Sequence, residues 1–451
     1  MRAVNRQADV IVVGAGVAGL KAAGELVAAG RSVIVLEANE RVGGRLKRAE
    51  VAGYVGDVGG QWVGTGHDVL LGEAKHFGIQ TYAQYESGKT LLQLLGKLVS
   101  FTGNVPKMPP LALIELALLQ RRWEREIKTL PADAPWNAPR ANEWDGITLE
   151  SWIVKNLRTK AAREFARLVP RGAWAAEARQ VSYLWFLDAL RNAGGLDYLM
   201  GVKNGALDAK FKGGMQQIPQ RMADALGDRV VLGAPVEKIV QDSQGVRVIT
   251  PKGEFAGRFV IVAAPPGPAS RIQYEPHLPA SRDGLQQRMP MGAIIKIIVA
   301  YSTAFWRTAG LSGQVATDDD TLGIVMDDAR DSGLAVLLCF AEGRHAVEMS
   351  ALSKEARKQK VIASLVRFFG SEAAHPIGYE DNDWLTEPYI HGYVGHMPPG
   401  TMTRFGRALR EPCGRIHWAG TETATEWAGY IEGGLRSGIR AAHEVALRHN
   451  E

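Results

Sequence analysis

Cysteine is almost missing: this chain of 451 residues has two, Cys339 and Cys413. That excludes a disulfide framework and a Cys-rich metal site. Long apolar runs are missing too. The longest candidate, over 111–119, is about half of what a membrane span needs, and it continues into Gln-Arg-Arg-Trp-Glu-Arg-Glu, as an amphipathic helix would. No run of five or six basic residues occurs, and the net charge is only +5, so nucleic acid is not an expected partner. The chain contains no P-loop, no G-x-S-x-G, no internal repeat and no low-complexity tract. His391 and His396 lack acidic or cysteine neighbours at metal spacing and read as loop residues, so no metal is expected. With no leader ahead of the first strand and few cysteines, the expectation is a cytoplasmic protein without a membrane partner.

What is present begins at the N-terminus. Residues 10–13 form a short apolar run, fit for a buried parallel strand. Gly14, Gly16 and Gly19 follow with G-x-G-x-x-G spacing. Gly14 permits the turn, Gly16 lets backbone approach a pyrophosphate, and Gly19 lets helix and strand pack closely. A helix over 17–29 would point its N-terminus at the phosphates. The next strand ends at Glu37, eighteen residues past Gly19, where a carboxylate can accept from ribose hydroxyls. Gly43, Gly44 and Arg45 come next, a mobile backbone plus a guanidinium suited to a second phosphate contact. The acid favours FAD or NAD over NADP. A second G-x-G-x-x-G is missing, which points to FAD alone, reoxidised by something other than a nicotinamide.

A Gly-rich loop covers 57–64, including Gly60, Gln61 and Trp62. Residues 111–200 read as mainly helical. From 229 the pattern turns to strands: 229–232, 236–241, 246–250 and 259–263, with turns at 242–245 and 251–253, are expected to form one β-meander. Strands recur at 293–301 and 335–340, and helices over 354–369 and 429–447. The fold class expected is α/β: a Rossmann-like FAD-binding domain from 1–82, 212–286 and 386–451, and a mixed α+β substrate domain from 83–211 and 287–385.

Lys296 stands in Ile294-Ile295-Lys296-Ile297-Ile298, where burying an amine is costly. Either the strand is an edge whose lysine reaches water, or the amine meets a polar cofactor atom. Tyr393 and Tyr430 are candidates for chemistry. Trp384, Trp418 and Trp427 are candidates for core or cofactor packing.

Five segments carry a resemblance: 10–45, 57–64, Lys296, Pro398-Pro399-Gly400, and Gly420-Thr421-Glu422 through Trp427-Ala-Gly-Tyr430 to Gly433. Together they resemble the flavin-containing monoamine oxidases and their bacterial amine-oxidase relatives, over nearly the whole chain. The resemblance implies that Lys296 holds a water at flavin N5, and that Tyr393 and Tyr430 form an aromatic cage on the flavin's reactive face. It places Val236 at the adenine, and Glu37, Arg45, Trp384, Thr421 and Glu422 in flavin-contact stretches. It puts Leu199, Met200, Leu207, Ile324 and Phe340 on the substrate wall, with no carboxylate for a distal ammonium. Two departures are visible. Covalent members bear a cysteine before the first cage tyrosine, and this chain has Gly392, so non-covalent FAD is expected. Where the family often has a glutamine over the substrate, this chain has Leu207.

The function implied is oxidation of an apolar primary or secondary amine to an imine, with O2 reduced to H2O2. The partners are then an amine and O2, and a homodimer is left open. One rival is an L-amino-acid oxidase, which resembles a Met-Arg after the second Gly-Gly. Here the loop reads Gly59-Gly60-Gln61-Trp62-Val63. A flavin amine dehydrogenase with another acceptor is the second rival, separable by O2 dependence. A non-catalytic flavoprotein scaffold is the third, and turnover of any amine would end it.

Overall fold

The strand Val10–Val13 is apolar at every position because both of its faces are covered. In the computed structural model, which describes residues 4–103, 105–319, 321–329 and 334–448, it is the centre of a five-stranded parallel sheet. The order is Val230–Val231, Val33–Leu36, Val10–Val13, Phe259–Val262, Ile416–Trp418. Side chains of the four longer strands are buried throughout, as a parallel sheet with helices on its faces requires. The helix Val17–Ala28 makes the first crossover and packs on the C-terminal helix Ile431–Arg448. A Cβ on Gly19 would lie 2.0 Å from the Gly14 carbonyl oxygen, and one on Gly438 2.3 Å from that of Ala18. Only hydrogen fits at either place.

The single meander expected from 229 onward is corrected. Its first and last runs, Val230–Val231 and Phe259–Val262, belong to the nucleotide sheet. The middle runs, Lys238–Gln241 and Val246–Thr250, pair instead with the unanticipated strand Gly253–Gly257 and with Val4–Gln7 and Gln273–Glu275 in a second five-stranded sheet. Strands that are neighbours in sequence look alike whichever sheet receives them, because alternation fixes the exposed face and not the partner.

A seven-stranded mixed sheet has the order Gly378–Asp383, Ile294–Tyr301, Ala335–Glu342, Ile324–Asp327, Leu311–Thr317, Lys89–Leu94, Lys97–Phe101. The strand Ile294–Tyr301 is therefore internal, paired antiparallel on both sides. That explains its unbroken apolar run and removes the edge reading of Lys296. Residues 110–200 are helical and hold a second core around Trp123, Trp144, Trp152, Tyr183 and Phe186. Thr148, Thr159 and Ser182 each accept a backbone N–H at a helix start there. The helix Pro110–Ile127 contains the run 111–119 and leaves Leu111, Ile114 and Leu118 exposed. No helix among the described residues is long and apolar enough to cross a membrane.

Candidate active site

One cavity of about 1910 Å³ runs between the nucleotide sheet and the seven-stranded sheet. Gly14, Gly16, Glu37 and Val236 line one end, and Lys296, Tyr393 and Tyr430 the other. Gly14 holds φ +102, and a Cβ on Gly16 would meet nothing within 4 Å, so bare backbone faces open space at the helix N-terminus. Glu37 is buried at the strand end. Its Oε2 accepts from Ala15 N–H at 2.8 Å, and its Oε1 from Asn39 N–H at 2.9 Å. The turn carrying Val236 is docked beside it, since Ala234 N–H donates to the Glu37 carbonyl. A nucleotide cradle with a ribose acid results, and it fits the adenosine half of a dinucleotide.

The other end gathers aromatic rings and buried polar groups around Lys296. Lys296 Nζ donates to the Gly59 carbonyl and to Gln61 Oε1, both at 2.6 Å. Burial drives the Lys296 ammonium down to about 7, and Asp57 and Asp328 restore only part of the loss. The amine also lies 5.4 Å from the Trp62 ring centre and 5.5 Å from that of Phe340. Gln61 Nε2 and the Tyr430 hydroxyl are buried without hydrogen-bond partners while lining the cavity. Such orphaned donors call for a polar ligand. Trp384 is fixed by its Nε1 donating to the Val58 carbonyl at 2.8 Å. Tyr430 packs edge-on to His67 and Trp427, at 5.3 Å and 5.7 Å. Burial keeps both phenols protonated, pushing Tyr430 well above the ordinary tyrosine range and Tyr393 upward from it.

Several expectations change in detail. Gly19 and Glu422 do not line the cavity. Gly19 acts in packing, and Glu422 is buried behind the wall, bound to Arg45. Arg45 lines the cavity but is not a free guanidinium for phosphate. It donates to Glu422 Oε1 at 2.6 Å, to Glu422 Oε2 at 3.1 Å and to the Tyr393 carbonyl at 2.7 Å. The pair thus braces the backbone of a candidate cage residue. Gly44, Gly60, Gln61, Trp62, Gly420 and Thr421 do line the cavity. So do Leu199, Met200, Leu207, Ile324 and Phe340, although Met200 is half exposed and stands at the mouth. None of these five carries a carboxylate, but acids stand elsewhere on the same cavity wall, Glu342, Asp197 and Glu86 among them. His67 is a further residue missed, a buried imidazole under Tyr430 held neutral by burial, at about 4. His396 is in a loop as expected, yet buried and likewise driven down to about 4.

The profile of the flavin containing amine oxidoreductases matches residues 17–446, and the chain belongs to that family. It is 40% identical over 446 residues to the flavin-containing amine oxidase A of Bos taurus, covering 97% of this chain and 84% of that one. Cyclohexylamine oxidase from Brevibacterium oxydans IH-35A superposes with a TM-score of 0.94 at 31% identity, over 98% of this chain and 100% of its own. A putrescine oxidase bound to putrescine gives 0.94 at 32% identity, over 98% and 99%. The protein is an FAD-dependent amine oxidase enzyme, and the cradle and ring site described above fit that cofactor.

Proposed function

We propose that the enzyme oxidises primary or secondary amines with an apolar body and passes the electrons to O2, giving H2O2 and an imine that water hydrolyses. The observation that carries this reading is the joining of the nucleotide cradle, Lys296 and two partly buried neutral tyrosines in one largely apolar cavity. FAD supplies the two-electron acceptor. The chain's own residues do the rest. Tyr393 and Tyr430 receive the amine as a neutral species, since a protonated ammonium would lose its hydration there. Leu199, Leu207, Ile324 and Phe340 hold the body and exclude water. Lys296 and Gln61 form a polar pair at the ring site, from which Lys296 can hold a water.

The structural neighbours include one named for an alicyclic monoamine and one for a diamine, so pocket chemistry decides between them. Burial keeps the Glu342 carboxyl well above the carboxylate range, and the nearby Arg171 is already paired with Glu177. At Glu342 a distal ammonium therefore meets a protonated acid rather than a waiting counterion. In a peroxide-coupled assay, hexylamine, cyclohexylamine and benzylamine should exceed putrescine in kcat/KM by roughly tenfold or more, each buried methylene contributing about 0.8 kcal/mol. Putrescine turning over better than hexylamine would overturn the substrate reading. Apparent affinity should rise with pH toward the amine pKa.

The FAD is held without a covalent bond on this reading. Gly392 has no nucleophile, its φ is +141, and a Cβ there would fall 2.5 Å from the Met291 Cβ. Acid precipitation should leave the yellow colour in the supernatant. Colour fixed to the denatured pellet would contradict it.

A further inference from the structure

Glu342 is an anomaly in the cavity wall. It ends the strand Ala335–Glu342 and is 1% exposed, and neither carboxyl oxygen has a hydrogen-bond partner. The neighbouring Gly323 N–H is donated to the Phe340 carbonyl instead. Ile294 stands opposite Glu342 on the next strand, as Lys296 stands opposite Phe340. Alternation therefore puts Lys296, Phe340 and Glu342 on one sheet face, with Glu342 about 7 Å along the strand from Phe340. Gly323 makes the room: a Cβ there would lie 2.1 Å from Glu342 Oε2. A buried acid whose oxygens have the Gly323 N–H and Arg171 nearby but no well-formed hydrogen bond, and for which space is kept at a cavity wall, is costly unless a ligand completes it.

We propose that Glu342 is a specificity-determining residue whose carboxylic acid hydrogen-bonds a neutral oxygen on the far end of the substrate, so that hydroxyl-bearing amines are preferred over the same amines ending in hydrocarbon. This deepens, and rests on, the amine-oxidase reading above. The neutral form of the contact follows from burial first and from the charges around it second. Arg171 is paired with Glu177 at 3.1 Å, and Glu177 itself repels a second anion. Burial is the largest cause raising the Glu342 carboxyl; Glu177 adds to it, and Arg171 offsets part of it. An acid in that state offers one donor and one acceptor, which suits an alcohol.

The test compares hexylamine, aminohexanol with its hydroxyl at the far end, and hexanediamine. With the holoenzyme, aminohexanol should exceed hexylamine in kcat/KM by roughly tenfold, the worth of one hydrogen bond to a buried group. Glu342→Leu should abolish or invert that ratio, and Glu342→Gln, which still donates and accepts, should keep most of it. Gly323→Ala, whose methyl displaces the carboxyl, should reduce the ratio as well and serves if the Leu variant does not fold. An unchanged ratio in the Leu and Ala variants would overturn the proposal. So would hexanediamine outrunning aminohexanol with that advantage lost in Glu342→Gln, which marks a counterion instead. The same ratios read as binding, from perturbation of the bound flavin's visible spectrum under nitrogen, do not need turnover. Failure to form peroxide from hexylamine would then count against the oxidase reading alone.

Discussion

Replacing Lys296 by Met should slow amine turnover by roughly 10²–10³-fold, the effect of removing one preorganised polar group beside reacting atoms. The lysine lines the cavity together with the tyrosines, and two acceptors, Gly59 carbonyl and Gln61 Oε1, hold its Nζ in place. Methionine fills the volume but leaves Gln61 without a partner on either end of its amide. A second readout separates chemistry from structure. The folded-state pKa of Lys296 is lowered to about 7, so between there and its ordinary value near 10.5 the unfolded chain binds the extra proton. Stability therefore rises with pH through that window and is depressed below it. The Met variant should lack this contribution, so the difference between the two proteins should change between pH 7 and 10. Unaltered rates in both the reductive and the oxidative half-reactions, measured by stopped flow, would reduce Lys296 to a structural role.

Arg45→Ala should cost about 3–5 kcal/mol of stability at pH 7, the range for stranding one member of a buried ion pair. The side chain of Glu422 is 1% exposed and loses its counterion, while the Tyr393 carbonyl loses its donor. Burial alone would raise the Glu422 carboxyl, and Arg45 together with the backbone N–H groups of Glu422 and Gly395 outweighs it, leaving the group below its ordinary 4.5. A depressed acid stabilises the fold above its unfolded value, and that contribution is lost as pH falls through the folded one. Hence the gap between wild type and Arg45→Ala in urea denaturation should narrow on going from pH 7 to pH 4. A loss under about 1 kcal/mol, or a gap that does not depend on pH, would mean that the pair does not brace the cage.

The parts of this molecule legible in sequence are those whose physics is local. Strand, Gly14, Gly16, Gly19, helix and Glu37 lie within one continuous unit, and each residue type states its own backbone demand. The pairing of Arg45 with Glu422 spans 377 positions, so an arginine next to two glycines read as a phosphate contact. Lys296 announced itself by its isoleucines, but not that Gly59 and Gln61 would receive its amine. Glu342 was hidden most completely. An acid at the end of an apolar strand, just before Gly343, reads as the point where the chain reaches water. In the fold Gly323 crowds its carboxyl and the helix Lys160–Trp174 brings Arg171 near it, so the acid is buried instead. The mixing of two sheets in 229–263 was missed because parallel partners lie far away in sequence.

The central claim is that amines reduce the flavin in this cavity and that O2 takes the electrons away. Mixing the yellow holoenzyme with hexylamine under nitrogen, and then admitting air, tests it most directly. The account predicts bleaching of the flavin absorbance on mixing, then return of the colour with about one H2O2 per flavin. A flavin that no amine bleaches, or a bleached flavin that air leaves colourless, would contradict it.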